Sequence, residues 1–242
     1  MCNGEKRGGF EAASVVCIVA AGSLWGTIGL FVKKLTEAGF DSMQIGAVRV
    51  FFGAVIMAVF ALIAQPKAFK ISIKDVWIFI GTGFFSLTLF NFCYFTAISR
   101  SEVSVAVVLL YTSPIWVMLF SLLFFKEKIT AMKLLALAMT FVGCVLVAGI
   151  FGDVKGLTVQ VFFIGVAAGV CYALYSIFGR IGLKKYGSVT VTLYTFIFAS
   201  AASLITAGPA RTVKCIAAAP VSLVYICGAA LFCTVIPYLL YT

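Results

Sequence analysis

Long apolar stretches separated by short polar connectors recur from one end of the chain to the other. Eight stand out, at 12–32, 43–64, 76–98, 103–125, 134–151, 157–178, 189–207 and 221–241. A helix needs about 20 apolar residues to cross the hydrocarbon core of a bilayer, so each stretch predicts one membrane-spanning helix. Barrel strands would alternate apolar and polar residues instead. These runs do not alternate: residues 105–110 read VAVVLL. The pattern predicts an all-α polytopic membrane protein with about eight transmembrane helices.

Composition supports that class. Only 11% of residues are charged and mean hydropathy is +1.17, whereas a soluble domain carries roughly a quarter charged residues. The formal net charge of +10 does not point to nucleic acid, because the basic residues sit in the connectors. With the N-terminus in the cytoplasm, Lys6, Arg7, Lys67, Lys70, Lys74, Lys126, Lys128, Lys133, Arg180, Lys184 and Lys185 fall inside. Lys33, Lys34, Arg100, Lys155, Arg211 and Lys214 fall outside. That excess fits a multi-pass protein of the plasma membrane with a cytoplasmic N-terminus. The first stretch is too long for a cleaved signal peptide and has no small-residue cleavage site, so it reads as a retained helix. Of eight cysteines, Cys17, Cys93, Cys144, Cys171, Cys227 and Cys233 lie within stretches, and no CxxC pair occurs. They read as packing residues. There is no histidine, and neither a metal nor a cofactor is expected.

The chain also repeats itself. Val19-Ala20-Ala21-Gly22 returns as Val166-Ala167-Ala168-Gly169, and in the same register Trp25 meets Tyr172, Gly26 meets Ala173, Phe31 meets Phe178 and Lys33 meets Arg180. Thr88 meets Thr234, Asn91 meets Pro237, and Phe95-Thr96 meets Tyr241-Thr242 with a one-residue slip. The unit holds five stretches, an odd number, so a second copy enters the membrane upside down. The first copy covers 12–151 and the second, with three helices, 157–242. Extending the repeat leads to an expected ten-helix protein of about 300 residues, of which this chain is a part. Inverted repeats are the arrangement that secondary transporters use to alternate access to a midplane site.

Several residues stand out against the apolar background. Arg49 is a charge well inside a span. Such a charge costs a few kcal/mol. Its guanidinium fork suits a carboxylate or phosphate; alternatively it snorkels to the interface or binds backbone carbonyls. Thr88, Asn91 and Tyr94 are three apart and share one helix face. That face either lines a cavity or hydrogen-bonds a neighbouring helix. Tyr111, Ser113 and Pro114 interrupt the fourth stretch, where proline frees a carbonyl near Leu110; Pro237 does the same in the last. Each is a kink for gating or a bend without ligand contact. Trp25, Tyr172, Tyr175 and Tyr238 either stack on a substrate or pack. Gly22, Gly26 and Gly29, with Gly169 and Ala173, form small-xxx-small faces for close helix packing. Glu127 reads as an interfacial residue or a cap. No Asp or Glu lies in the middle of a stretch, which argues against proton-coupled export of organic cations.

The most recognisable text runs from Ser104-Val105-Ala106-Val107-Val108-Leu109-Leu110-Tyr111-Thr112-Ser113-Pro114 through Lys126-Glu127-Lys128-Ile129-Thr130 to Phe141-Val142-Gly143-Cys144-Val145-Leu146. With Trp25-Gly26 in the first stretch and Arg49 before Val50-Phe51 in the second, it resembles the EamA-type domain of the drug/metabolite transporter superfamily. The resemblance covers the whole chain as two copies, the second shorter. It implies ten helices in two inverted bundles, a central cavity, and transport of small metabolites such as amino acids. The residues add that the substrate is neutral, zwitterionic or anionic. Expected partners are the lipid bilayer, a small-molecule substrate and a second copy of the chain in a homodimer, with no nucleic acid. The competing readings are a non-transporting membrane subunit or inactive fragment, and an intramembrane enzyme, which the missing histidines and short loops disfavour.

Overall fold

The computed structural model describes the backbone of residues 2–148 and 157–242 and the side chains of 14–146 and 157–242. The side chains of Glu11, Lys6, Arg7 and Lys155, and the fifth apolar stretch beyond 148, lie outside the described residues.

Every regular element among the described residues is helical. Seven segments are long and apolar enough to cross a bilayer: Ser14–Glu37, Ser42–Ala64, Ile73–Arg100, Val103–Phe125, Val159–Leu183, Ser188–Ala207 and Ser222–Tyr241. A shorter apolar helix, Ala131–Leu146, occupies the fifth stretch. The chain is an all-α polytopic membrane protein, and the predicted stretches agree with these helices to within a few residues.

Several spans are broken. The first divides into α1 (Cys2–Gly26) and α2 (Ile28–Glu37), and the second is α3 (Ser42–Ala64). The third runs as α4 (Val76–Ile80), a π-helical segment at Gly81–Thr88, and α5 (Leu89–Arg100). The fourth divides into α6 (Val103–Leu110) and α7 (Ser113–Phe125). Then follow α8 (Ala131–Ala148), α9 (Val159–Leu183), α10 (Ser188–Ala207) and α11 (Pro209–Ala218). The last span is α12 (Ser222–Ala230), a second π-helical segment at Leu231–Val235, and α13 (Ile236–Tyr241).

Local chemistry sets the helix ends. Asp41 caps α3 by accepting the Gln44 N–H at 2.8 Å, while the Gln44 side chain accepts the Asp41 N–H at 3.0 Å. Thr158 accepts the Val161 N–H at 3.2 Å at the start of α9. Gly208, at φ +68°, ends α10 in a left-handed conformation that glycine adopts without steric cost, and Pro209 opens α11. The connector 208–220 has too few apolar residues for a span, but enough for the one amphipathic helix α11.

The chain divides into two compact units, and each draws on both halves of the sequence. One unit is Met1–Ile71 with Tyr186–Thr242. In it α3 lies along α10, and Leu35, Phe40, Ile45, Val48 and Ile226 form a buried cluster. At one end Arg211 pairs with Asp41 at 3.6 Å and the Gln44 amide donates to Thr212 at 3.4 Å. Farther along α10, Tyr194 donates to the Phe69 carbonyl at 2.9 Å.

The other unit is Ser72–Lys185. Here α9 packs against α4, α5, α6, α7 and the first π segment. A Cβ at Gly165 would lie 2.7 Å from Leu109 Cβ, and one at Gly169 would lie 3.3 Å from the Leu109 carbonyl. Only glycine permits that approach of α9 to the α6–α7 break. At one end Lys185 pairs with Asp75, Glu127 accepts from Arg180 and from Lys133, and the Arg180 guanidinium sits 4.3 Å from the Phe125 ring centroid. Arg180 with Glu127 and Lys185 with Asp75 tie three connectors together. Outward faces stay apolar in both units, as at Leu123, 70% exposed, and Ile205, 81% exposed. Surfaces of that kind are stable against lipid chains rather than water.

Candidate functional site

In the first unit the residues singled out by the sequence gather around Arg49. It lies two turns into α3, and its Nε is buried with no hydrogen-bond partner. Its electrostatic neighbours are Tyr238 and Cys233. The Tyr238 ring stands 5.6 Å from Trp25, nearly perpendicular, and 5.2 Å from Phe196; Trp25 also lies 5.8 Å from Tyr241. Thr27, at the α1–α2 break, is 3.4 Å from the Cys233 thiol. The break gives Thr27 its place, and Pro237 follows the second π-helical segment within a span whose helix is continuous from α12. A guanidinium with unused donor capacity beside aromatic rings can bind an anion and one apolar face of the same molecule.

In the second unit Asn91 is buried, and neither its amide nitrogen nor its oxygen has a partner. Buried polar groups are nearly always satisfied, so such an exception asks for a cause. One turn before it, the Thr88 hydroxyl donates to the Gly83 carbonyl at 3.1 Å. One turn after it, Tyr94 stacks on Phe90 with centroids 5.4 Å apart, and Phe90 meets the edge of Tyr172 at 5.5 Å. Tyr111 is an electrostatic neighbour of Tyr94. It also lines a pocket of about 530 Å³ with Val103, Ser104 and Val107 of α6 and Met139, Thr140, Gly143 and Cys144 of α8. Ser113 and Tyr175 are buried in this unit.

Pro114 is the second residue of α7. The span stops at Tyr111-Thr112 and starts again, with the Thr112 hydroxyl donating to the Leu109 carbonyl at 2.7 Å. The proline therefore opens a helix rather than bending one. Gly169 approaches this break closely, and Ala173 is fully buried. Gly22, Gly26 and Gly29 differ: a Cβ at any of them would meet no other atom within 4 Å. Glu127 accepts hydrogen bonds from Arg180 and Lys133, and these hold its carboxyl below the usual carboxylate range, Arg180 contributing most.

Sequence reasoning did not single out Phe90 and Phe196, which stack on the tyrosines. Nothing distinguishes them among 24 phenylalanines. It also passed over Thr192, fully buried with an unpartnered hydroxyl, and the neighbouring thiols of Cys93 and Cys171. A lone threonine or cysteine in an apolar run gives no sign of what it will face.

The EamA-like transporter family matches residues 12–149. An uncharacterized transporter of Archaeoglobus fulgidus is 28% identical over 193 residues, covering 77% of this chain and 63% of its own length. An uncharacterized transporter of Bacillus subtilis is 25% identical over 189 residues, covering 75% of this chain and 58% of its own. The chain thus spans about three fifths of these curated relatives. A crystal structure of a protein shares the fold, with a TM-score of 0.71 at 16% identity, over 95% of this chain and 78% of that one.

Proposed function

The chain belongs to the EamA-like transporter family, and on that footing we propose that it acts in secondary transport of a small metabolite. The substrate is an amino acid or a related neutral, zwitterionic or anionic compound, carried by alternating access between inverted repeats. Family membership carries the activity. The character of the substrate rests on one observation, Arg49, whose buried Nε has no partner within the unit. A carboxylate or phosphate supplies the acceptor it lacks, and Trp25 and Tyr238 supply an apolar wall.

One recurring hydrogen bond supports the duplication and, with it, alternating access. The Thr88 hydroxyl donates to Gly83, and the Thr234 hydroxyl donates to Ala229 at 3.2 Å. Donor and acceptor both recur 146 residues farther along the chain.

Purified protein in liposomes, offered radiolabelled amino acids, nucleosides and sugar phosphates, is expected to show saturable uptake of at least one anionic or zwitterionic compound. Uptake of none of them contradicts the proposal and favours a non-transporting subunit.

A further inference from the structure

Two spans leave the α-helical ladder for a π-helical one, and they do so at matching places. Gly81–Thr88 lies in the third span and Leu231–Val235 in the last. Shifted by 146 residues, the spacing of Thr88 and Thr234, the second segment falls on 85–89, overlapping the first. Each belongs to a different compact unit and packs against different helices, so no shared neighbour explains the coincidence. In both, a buried threonine reaches back five residues to a carbonyl, Thr88 to Gly83 and Thr234 to Ala229. Ser86 does the same to Gly81 at 2.8 Å. An i−5 reach is the geometry of the wider helix, whereas Thr96, in the α-helical part of the third span, reaches i−4 to Phe92. These hydroxyls therefore hold the π register.

Each π segment also adjoins a buried polar group left unsatisfied. Asn91 lies three residues beyond Thr88, with both amide atoms unpartnered, and Arg49 Nε is unpartnered beside Cys233 of the second segment. π-helical segments are rare and occur frequently at functional sites. Unsatisfied groups beside both of them indicate a second arrangement in which they are satisfied.

We propose that the two π segments are matched hinges. Each closes from π to α register during the transport cycle and turns the helix beyond it by one residue's angle, roughly 100°. For the third span this swings Asn91 off its present face; for the last span it changes which residue of α13 faces Arg49. The inference rests on the transporter reading and gives it a moving part. Alternating access needs elements with two discrete arrangements, and matched hinges in inverted copies supply one for each side.

The chain carries its own reporter. Cys93 lies beyond the first hinge on α5, which packs against α9, and the Cys171 thiol of α9 is its electrostatic neighbour. Copper(II) phenanthroline with oxygen takes two electrons and two protons from the thiols and joins them in a disulfide only while the present register holds. Full-length chain in nanodiscs is oxidised briefly, and the Cys93–Cys171 peptide is quantified by mass spectrometry. Thr88→Val removes one of the two side-chain bonds that hold the π register in the third span, the other being that of Ser86, and is expected to lower the cross-link yield at least several-fold. Thr88→Ser keeps the hydroxyl and is expected to match the wild type, which excludes misfolding as the cause. Amide exchange on the same samples is expected to be roughly tenfold faster at 81–88 and 231–235 than in α5 and α12. Equal cross-linking in all three proteins, or exchange in both segments as slow as in their flanking helices, overturns the proposal. Neither readout needs a substrate, so the hinges can fail while transport stands.

Discussion

Arg49 is the residue at which a structural and a functional role part most clearly. A charged side chain inside a span costs a few kcal/mol on the gentlest scale, and a guanidinium kept for structure would use its donors. Its Nε uses none. Removing an unsatisfied buried donor does not destabilise a fold, so Arg49→Leu is expected to leave the unfolding temperature in detergent unchanged or raised. Glu127 is the opposite case, with its acceptors engaged by Arg180 and Lys133. Its carboxyl is held below its ordinary value. Its stabilising contribution is therefore complete above the unfolded value of about 4.3 and disappears as pH falls through the lower, folded value. Glu127→Gln is expected to lower the unfolding temperature at neutral pH. Titrating both proteins downward is expected to close the gap only below the ordinary carboxylate range; a gap that persists in acid contradicts the ion-pair account.

Among the elements, α9 and the broken fourth span depend most on glycine. A Cβ at Gly165 would come within 2.7 Å of Leu109 Cβ. Gly165→Ala is expected to cost about 1–3 kcal/mol, the range for overpacking a tight contact. Gly179, on the same helix, has open space. Gly179→Ala is expected to be neutral or to stabilise by up to about 1 kcal/mol through helix propensity. Thermal unfolding of the two variants side by side checks both, and a similar shift in each contradicts the packing account. Pro114 yields a finer test. A mid-helix proline replaced by alanine regains a backbone hydrogen bond and stabilises. Pro114 opens α7, where its missing N–H costs nothing, so Pro114→Ala is expected to shift stability by less than about 1 kcal/mol. This is also where the sequence misled. The dipeptide Ser113-Pro114 marks an interruption, but whether the helix bends or restarts depends on Thr112 capping back to Leu109 and on the room left by Gly169.

For the molecule as a whole, the spans were legible because lipid imposes one length and one chemistry on each of them. Thus 103–125 and 189–207 correspond closely to Val103–Phe125 and Ser188–Ala207. The compact units were not legible, because they join Met1–Ile71 to Tyr186–Thr242 and pairings between distant helices leave no mark in apolar runs. The π segments were equally hidden: widening a helix by one residue per turn changes no residue type. Of the candidate site, Arg49 and Asn91 were visible by their cost in lipid, while the rings of Phe90 and Phe196 were not. The central claim is that a membrane transporter reads an anionic or zwitterionic substrate through Arg49. Initial uptake rates in liposomes, wild type against Arg49→Leu, with unfolding temperatures taken on the same preparations, test it most directly. The expected result is a loss of uptake of roughly a hundredfold, as for removal of a buried charge-assisted contact, at an unchanged or higher unfolding temperature. Undiminished uptake by the leucine variant contradicts it.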